Sequence, residues 1–534
     1  MVQAPIVSRP PARMRGALTP SLEELRGWLA SEETQPSTTP IFREIMADVE
    51  TPVSAYLKIR NGSTGFVLES VEGGERVARY SFIGSGSMLD ITMRDGVAEL
   101  RTKGGTSTVN FTDPLNVIED ILAPYRCLTM PGLPLPRFLG GAVGYLSYET
   151  VCAFESRVGI ASGPGRGMPD ARFALVDSLL VFDHVERTIK AVSHVHLNDG
   201  NSIEQAYKEA SDRVDSLVSR LRAPLSELPI GSAPVEKAVI DRSLPNTTPE
   251  RYREMIESAK EYIRAGDIFQ VVLSQRVDLP TPAHPFTIYR ALRTVNPSPY
   301  MFYLDFGDHQ IVGASPELLV RLQDGVVTNH PIAGTRPRGA TPEADIELAR
   351  DLLSDEKERA EHIMLVDLGR NDVGRVSKPG TVRVPKLMEI EHYSHVMHIV
   401  SNVEGEIADG KTCYDAVRAC FPAGTVSGAP KVRAMEIVAE LETDRRGPYA
   451  GAVGYIDFDG RMDTCIALRT LVIKDGVASM QAGGGVVADS TAEGEYAESY
   501  HKMRALLRAI ELAESIEASE SERKQDGFGK GGSE

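Results

Sequence analysis

Strand-like and helical segments follow one another along this chain of 534 residues without the strand–helix–strand alternation that a parallel, doubly wound sheet requires. Short β-rich stretches at 311–322, 449–458 and 464–474 lie between helical ones instead. Further strand-like runs occupy 63–68, 77–83 and 269–273, and Asp95-Gly96 is a two-residue hairpin turn between alternating segments. Such a chain is expected to be α+β, with mixed, largely antiparallel sheets packed with outer helices and no dinucleotide-binding sheet.

Helical spacing is clear at 202–222, where Ile203, Ala206, Ala210, Val214, Leu217 and Leu221 fall on one face. A second helix has Thr248 as its cap, Pro249 in its first position and Gly266 at its end. Acid-rich helical stretches cover 343–353 and 355–370, another helix follows Pro430, and a last one covers 493–512. The Pro- and Ser-rich stretch 223–247 lacks periodicity and is expected to link an N-terminal domain, 21–222, to a second one, 248–512. Residues 1–20 carry arginines but no apolar run, and are expected to be a loose tail rather than a secretory signal. Residues 513–534 are charged, Ser/Gly-rich and aromatic-poor, and are expected to be disordered. The string Gly-Ala-Val-Gly-Tyr occurs twice, at 141–145 and 451–455.

A formal net charge of −17 argues against nucleic acid and against an anionic membrane surface, while leaving room for a local basic pocket. No run is apolar enough to span a bilayer. The five cysteines are scattered, with no Cys-x-x-Cys pair, as expected of buried thiols in a reducing cytosol.

Several side chains are candidates for chemistry. Glu358 and Glu361 are three apart on one predicted helix, and Glu495 and Glu498 on another, with Lys502 one turn beyond. Such carboxylate pairs suit Mg²⁺, but acidic pairs at this spacing also make ordinary solvated faces, and the spacing leaves both open. The segment 425–431 is a Gly-containing approach to a helix that Ser427 is placed to cap, and Gly483, Gly484 and Gly485 allow backbone to approach a ligand. His398 lies in an apolar strand, where a satisfied core histidine and a proton carrier are both possible.

The strings Gly266-Asp-Ile-Phe-Gln-Val-Val-Leu-Ser-Gln-Arg276, Asn296-Pro-Ser-Pro-Tyr-Met-Phe302, Gly313-Ala-Ser-Pro-Glu317, Pro331-Ile-Ala-Gly-Thr-Arg336 and Glu361-His-Ile-Met-Leu-Val-Asp-Leu-Gly-Arg-Asn-Asp372 occur in that order. Segments 393–398, 424–431, 463–469 and 481–485 complete the set, and Leu68-Glu69-Ser70 and Arg79-Tyr-Ser-Phe-Ile-Gly84 precede it. Together they resemble the large subunits of anthranilate synthase, chorismate-utilising enzymes with an active site in a cleft. The likeness spans nearly the whole chain except its two tails. It implies Mg²⁺-dependent amination of chorismate at C2 and loss of pyruvate. By that resemblance Glu361 and Glu498 hold Mg²⁺ with Glu358 and Glu495 in support, and Arg469 and Tyr449 bind the enolpyruvyl carboxylate. Gly334, Thr335 and 483–485 add contacts. Glu317 protonates the departing C4 hydroxyl, Thr425 and His398 lie near it, and Lys502 adds positive charge.

Two positions separate the chain from similar families. Water-using isochorismate and salicylate synthases carry lysine where this chain has Gln270. Aminodeoxychorismate synthases carry a nucleophilic lysine where it has Ala333. The resemblance also implies a tryptophan site for feedback inhibition formed by Glu69, Ser70, Pro299, Tyr300, Met301, Gly454 and Tyr455. No Gly-x-Cys-x-Gly string surrounds any cysteine, so a separate glutamine amidotransferase subunit is expected to supply ammonia. The rivals are a same-fold enzyme with another product and a catalytically dead tryptophan-binding regulator.

Overall fold

Two large sheets carry the molecule, and each is woven from both halves of the sequence. The computed structural model describes residues 16–62, 64–70, 79–133, 135–197, 200–225, 242–393 and 396–528, without the side chains of 521–528. Among these, every ladder between strands is antiparallel, as the hairpin-rich sequence predicts. In the first sheet Gly65–Glu69 pairs with Tyr300–Asp305, and the order continues through Gln310–Ser315, Thr470–Lys474, Val477–Val486 and Gln270–Pro280. In the second, Val396–Glu406, Val326–Asn329, Leu318–Gln323, Met462–Ile466 and Ala452–Asp457 lead to Gly141–Leu146. The halves 21–222 and 248–512 therefore do not form separately sheeted units. Most of the expected linker, 226–241, lies outside the described residues, as do 1–15 and 529–534.

The repeated pentapeptides meet at the second of these joins. Gly144 lies opposite Gly454, and neither position admits a side chain: an added Cβ would stand 2.0 Å from the Arg172 carbonyl or 2.1 Å from that of Asp463. The inner faces of the sheets close on an aromatic core that includes Phe66, Phe82 and Phe302 from one and Tyr145 and Tyr455 from the other. Phe82 and Tyr455 meet edge to face at 5.7 Å. Helices Leu22–Ser31, Pro52–Ile59, Ile203–Arg222 and Pro285–Val295 pack in one outer cluster. Pro114–Leu122, Cys413–Cys420 and Lys431–Leu441 pack in another. Among the described residues no helix is long and apolar enough to cross a membrane.

Local signals in the sequence hold at several ends. Pro249–Ala265 starts at a Thr248 cap and ends at Gly266, whose φ of 81° lets the chain turn off the helix. Asp95 and Gly96, both at positive φ, turn the hairpin between Leu89–Arg94 and Val97–Thr102. Two expectations fail. Ser427 does not cap Lys431–Leu441; its hydroxyl bonds back to the Ala423 carbonyl at 2.8 Å, and Pro430 holds the cap position. Nor is the chain disordered from 513, because the last helix runs from Ala492 to Phe528. Its buried stripe of Met503, Leu506, Ala509 and Ile510 continues into Ala513. Glu514 then accepts from Arg242 at 2.7 Å and Thr281 at 2.6 Å, and Glu517 from the His284 amide at 3.0 Å. Composition alone hid these contacts, since their partners lie more than two hundred residues away.

Truncation after Leu512 is expected to cost about 3–9 kcal/mol, the worth of two or three hydrogen bonds to charged groups, whereas truncation after Glu520 is expected to be neutral. Thermal melts of the two products compare them directly.

Candidate active site

A cleft with about 920 Å³ of open space, its mouth included, gathers Glu317, Thr335, His398, Thr425, Tyr449, Arg469, Gly483 and Lys502, with Ala333 among its walls. These residues come from strands of both sheets, the last helix, the 3-10 turn Gly424–Val426 and three connecting loops. Glu317 is buried and accepts the Thr425 hydroxyl at 2.9 Å. Burial raises its pKa to about 8, against the opposing pull of that hydrogen bond and of Lys502. The carboxyl is thus held as a neutral acid near neutral pH. His398 places Nδ1 2.9 Å from the Gly334 carbonyl and 3.1 Å from the Thr335 hydroxyl. Donation to the carbonyl leaves Nε2 as the acceptor of a neutral ring, and burial lowers the ring's pKa. Gly334, at φ 65°, is the turn that presents this carbonyl. Arg469 also sits at positive φ, 47°, and its charge reaches His398. Tyr449 is buried, which pushes its phenol up to about 12, so it serves as a neutral donor.

The acidic pairs lie beyond the glycine end of the cleft. An added Cβ at Gly484 would meet the Glu495 carboxylate at 2.1 Å, and one at Gly334 would meet Glu358 at 3.1 Å. Gln270 packs on Gly485 and donates to Glu361 at 3.4 Å. Lys502 bridges the Gly483 carbonyl at 2.9 Å and Glu498 at 2.8 Å. Burial raises the pKa of Glu358 and Glu495, and each pair partner, Glu361 and Glu498, adds to that rise. As the side chains stand, no three such groups among the described residues converge on one point. The donors nonetheless fit a hard cation: carboxylates from two helices flank a side-chain-free glycine cradle, and the buried Glu495 Oε2 has no hydrogen-bond partner.

A second cavity, about 600 Å³ with its mouth, opens between the sheets. It gathers Glu69, Ser70, Pro299, Tyr300, Met301, Gly454 and Tyr455. Glu69 is anchored by Tyr289 and by Arg293 at 2.7 Å. Arg137, Arg321 and Asp463 also line it and were not singled out from sequence. Arg321 donates to Asp463 at 2.8 Å, and both touch the Tyr300 hydroxyl. Only the cross-strand register, which sets Arg321 opposite Asp463, brings them together.

The sequence pattern of the family described as chorismate binding enzyme matches residues 71–508, which covers the whole cleft and all of the second cavity named above except Glu69 and Ser70. The chain is 49% identical to anthranilate synthase component 1 of Acetivibrio thermocellus over 483 residues, 89% of this chain and 96% of that one. It is 47% identical to the component 1 of Pseudomonas aeruginosa, with the same shares covered. The crystal structure of anthranilate synthase component I from Streptococcus pneumoniae superposes with a TM-score of 0.71 at 38% identity, covering 87% of this chain and 99% of that one. A menaquinone-specific isochorismate synthase of Escherichia coli, 19% identical, shares the fold at a TM-score of 0.65 over 92% of this chain and 98% of its own. The fold is thus that of a chorismate-binding enzyme. Within that class, the chain belongs to the anthranilate synthase component I family.

Glu317 tests the electrostatics of the cleft. Its pKa rises from 4.5 to about 8 on folding, so the folded state keeps a proton that the unfolded chain releases. Stability therefore falls as pH climbs between these values. Glu317→Gln removes that dependence, and its melting temperature relative to the unsubstituted protein is expected to rise from pH ~5 to ~8. A difference independent of pH would mean that the carboxyl is already ionised in the fold.

Proposed function

We propose that the chain aminates chorismate at C2 with ammonia and eliminates pyruvate, giving anthranilate. The observation that carries this reading is the convergence of a neutral buried acid, a neutral histidine and an arginine on one cleft in which Ala333 supplies no nucleophile. Arg469 binds the enolpyruvyl carboxylate through its planar fork, with Tyr449 donating a second hydrogen bond. Gly334, Thr335 and the glycine run 483–485 hold the ring without side-chain crowding. Glu317, oriented by Thr425, gives its proton to the C4 hydroxyl as ammonia adds at C2, and water leaves. His398 Nε2 is the acceptor for the C2 proton as the ring becomes aromatic and enolpyruvate departs. Gln270 cannot activate water as a base, which favours ammonia as nucleophile. Glu361 and Glu498 would hold Mg²⁺ with Glu358 and Glu495 in support, and Lys502 adds a positive charge beside them. When bound, the ion neutralises the ring carboxylate.

The inter-sheet cavity is read as the tryptophan site. Gly454 and Tyr455 lie on Ala452–Asp457, a few residues from Tyr449, so an occupant that moves this strand reaches the cleft. Ammonia is expected from a separate glutamine amidotransferase subunit, making the working enzyme a hetero-oligomer.

The protein alone, with chorismate, Mg²⁺ and ammonium at mildly alkaline pH, is expected to yield anthranilate fluorescence and pyruvate in equal amounts. EDTA should abolish both, and Glu361→Gln or Glu498→Gln should slow turnover about a hundredfold. Chorismate consumption without anthranilate would reassign the product. Ser70→Phe is expected to weaken tryptophan inhibition at least about tenfold while leaving uninhibited turnover intact; undiminished inhibition would remove the regulatory reading and leave the cavity as packing.

A further inference from the structure

Neighbouring strands of the first sheet pave two cavities with residues two apart. On Val477–Val486, Ser479 and Gln481 line a rear cavity, while Gln481 and Gly483 line the cleft. On Gln270–Pro280, Arg276 lines the rear cavity and Val272 the cleft. Residues two or four apart on a strand share a face. The cavities therefore lie end to end over one surface, and Tyr449 and Gln481 form a wall common to both. The rear cavity has about 710 Å³ of open space, its mouth included, and its far side is the loop that carries Arg166.

Two buried polar atoms on its lining have no hydrogen-bond partner: Ser479 Oγ, on a residue 4% exposed, and Arg166 Nε. Other charges there are engaged: Arg276 with Asp278 and Asp444, and Arg446 with Glu442. An unpaired buried donor is costly, and a ligand that accepts from it removes the cost. A guanidinium offers donors only and a hydroxyl readily adds another, so the matching ligand is an electron-rich anion. With Arg276 and Arg446 already paired, Arg94, Arg166 and Arg445 face Asp95, Glu149 and Asp170, and burial pushes Glu149 up to about 7, which tips the balance against ammonium.

The geometry points to a site for a small monocarboxylate in this rear cavity, of the class of the three-carbon keto acid released beside Tyr449. The assignment of that ligand rests on the function proposed for the cleft. Along Val477–Val486 the order is Ser479 at the rear, Gln481 at the wall, Gly483 in the cleft and Gly484 against Glu495. A carboxylate freed beside Tyr449 thus has the Arg166 and Ser479 donors behind it and the acidic pairs ahead of it. The rear path avoids the four carboxylates of the acidic pairs and meets Asp95, Glu149 and Asp170 instead, of which burial holds Glu149 toward its neutral form.

The test is a titration of the full chain with ¹³C-carboxyl pyruvate followed by NMR, which requires no turnover. Two classes of site are expected. Ser479→Ala and Arg166→Gln should each weaken one of them about tenfold or more and spare the other; Arg469→Ala should do the reverse. Anthranilate formation without added pyruvate should be unchanged in Ser479→Ala and Arg166→Gln, while inhibition by added pyruvate declines. Identical titrations for the unsubstituted protein and both rear-cavity variants, with melting curves matched, would overturn the proposal. So would variants that raise the ammonium requirement yet bind pyruvate normally, since the cavity would then carry the nucleophile. If chorismate is not turned over at all, the titration still reads the rear site, so the two readings fail separately.

Discussion

A buried ion pair holds the cleft in shape. Arg446 and Glu442 are 1% and 3% exposed and meet at 2.7 Å. The guanidinium also donates to the Val426 and Val272 carbonyls at 2.7 Å each, and it lies 5.6 Å from the Tyr449 ring centre. Glu442 in turn accepts from the Ser274 amide and hydroxyl at 2.8 Å. Charges taken this far from water persist only when every donor and lone pair is occupied. That requirement locks together the loop of Thr425, the strand that begins at Gln270, and Tyr449. Three elements far apart in sequence are thereby given one geometry.

The same strand surface serves several purposes because antiparallel pairing repeats every two residues. The Val477–Val486 strand offers a serine, a glutamine and then glycines along its length, and each meets a different neighbour. Where glycine appears, the reason is an approach that a Cβ would block, as with Glu495 beside Gly484. Electrostatics then sort the groups. Glu317, buried beside Thr425, stays neutral, while the carboxylates of the two acidic pairs repel within each pair.

Much of the local structure was legible because its causes are local. Thr248 and Gly266 bracket one helix, and Asp95-Gly96 turns one hairpin, through backbone preferences that act within a few residues. The long strings of the cleft were legible as well, and the structure draws Glu317, Thr425, His398 and Arg469 to one place. Ser427 was misread because a hydroxyl near a helix start has more than one carbonyl or amide within reach, and the Ala423 carbonyl lies closer. The final helix was cut short because charged, aromatic-poor composition says nothing about Arg242, Thr281 and His284.

By itself the sequence determined the class of fold, the type of several main elements and the roster of polar groups available for chemistry, and its resemblance to known strings pointed to the family. These follow from periodicity, turn chemistry and residue identity, all of which are written along the chain. Only the tertiary structure decided that the two halves share both sheets, that the repeated pentapeptides pair with each other, and that Arg321 stands opposite Asp463. It alone decided that Ser479 Oγ and Arg166 Nε are left without a hydrogen-bond partner behind Tyr449. Register and burial are properties of contacts between distant segments, so no stretch of sequence contains them.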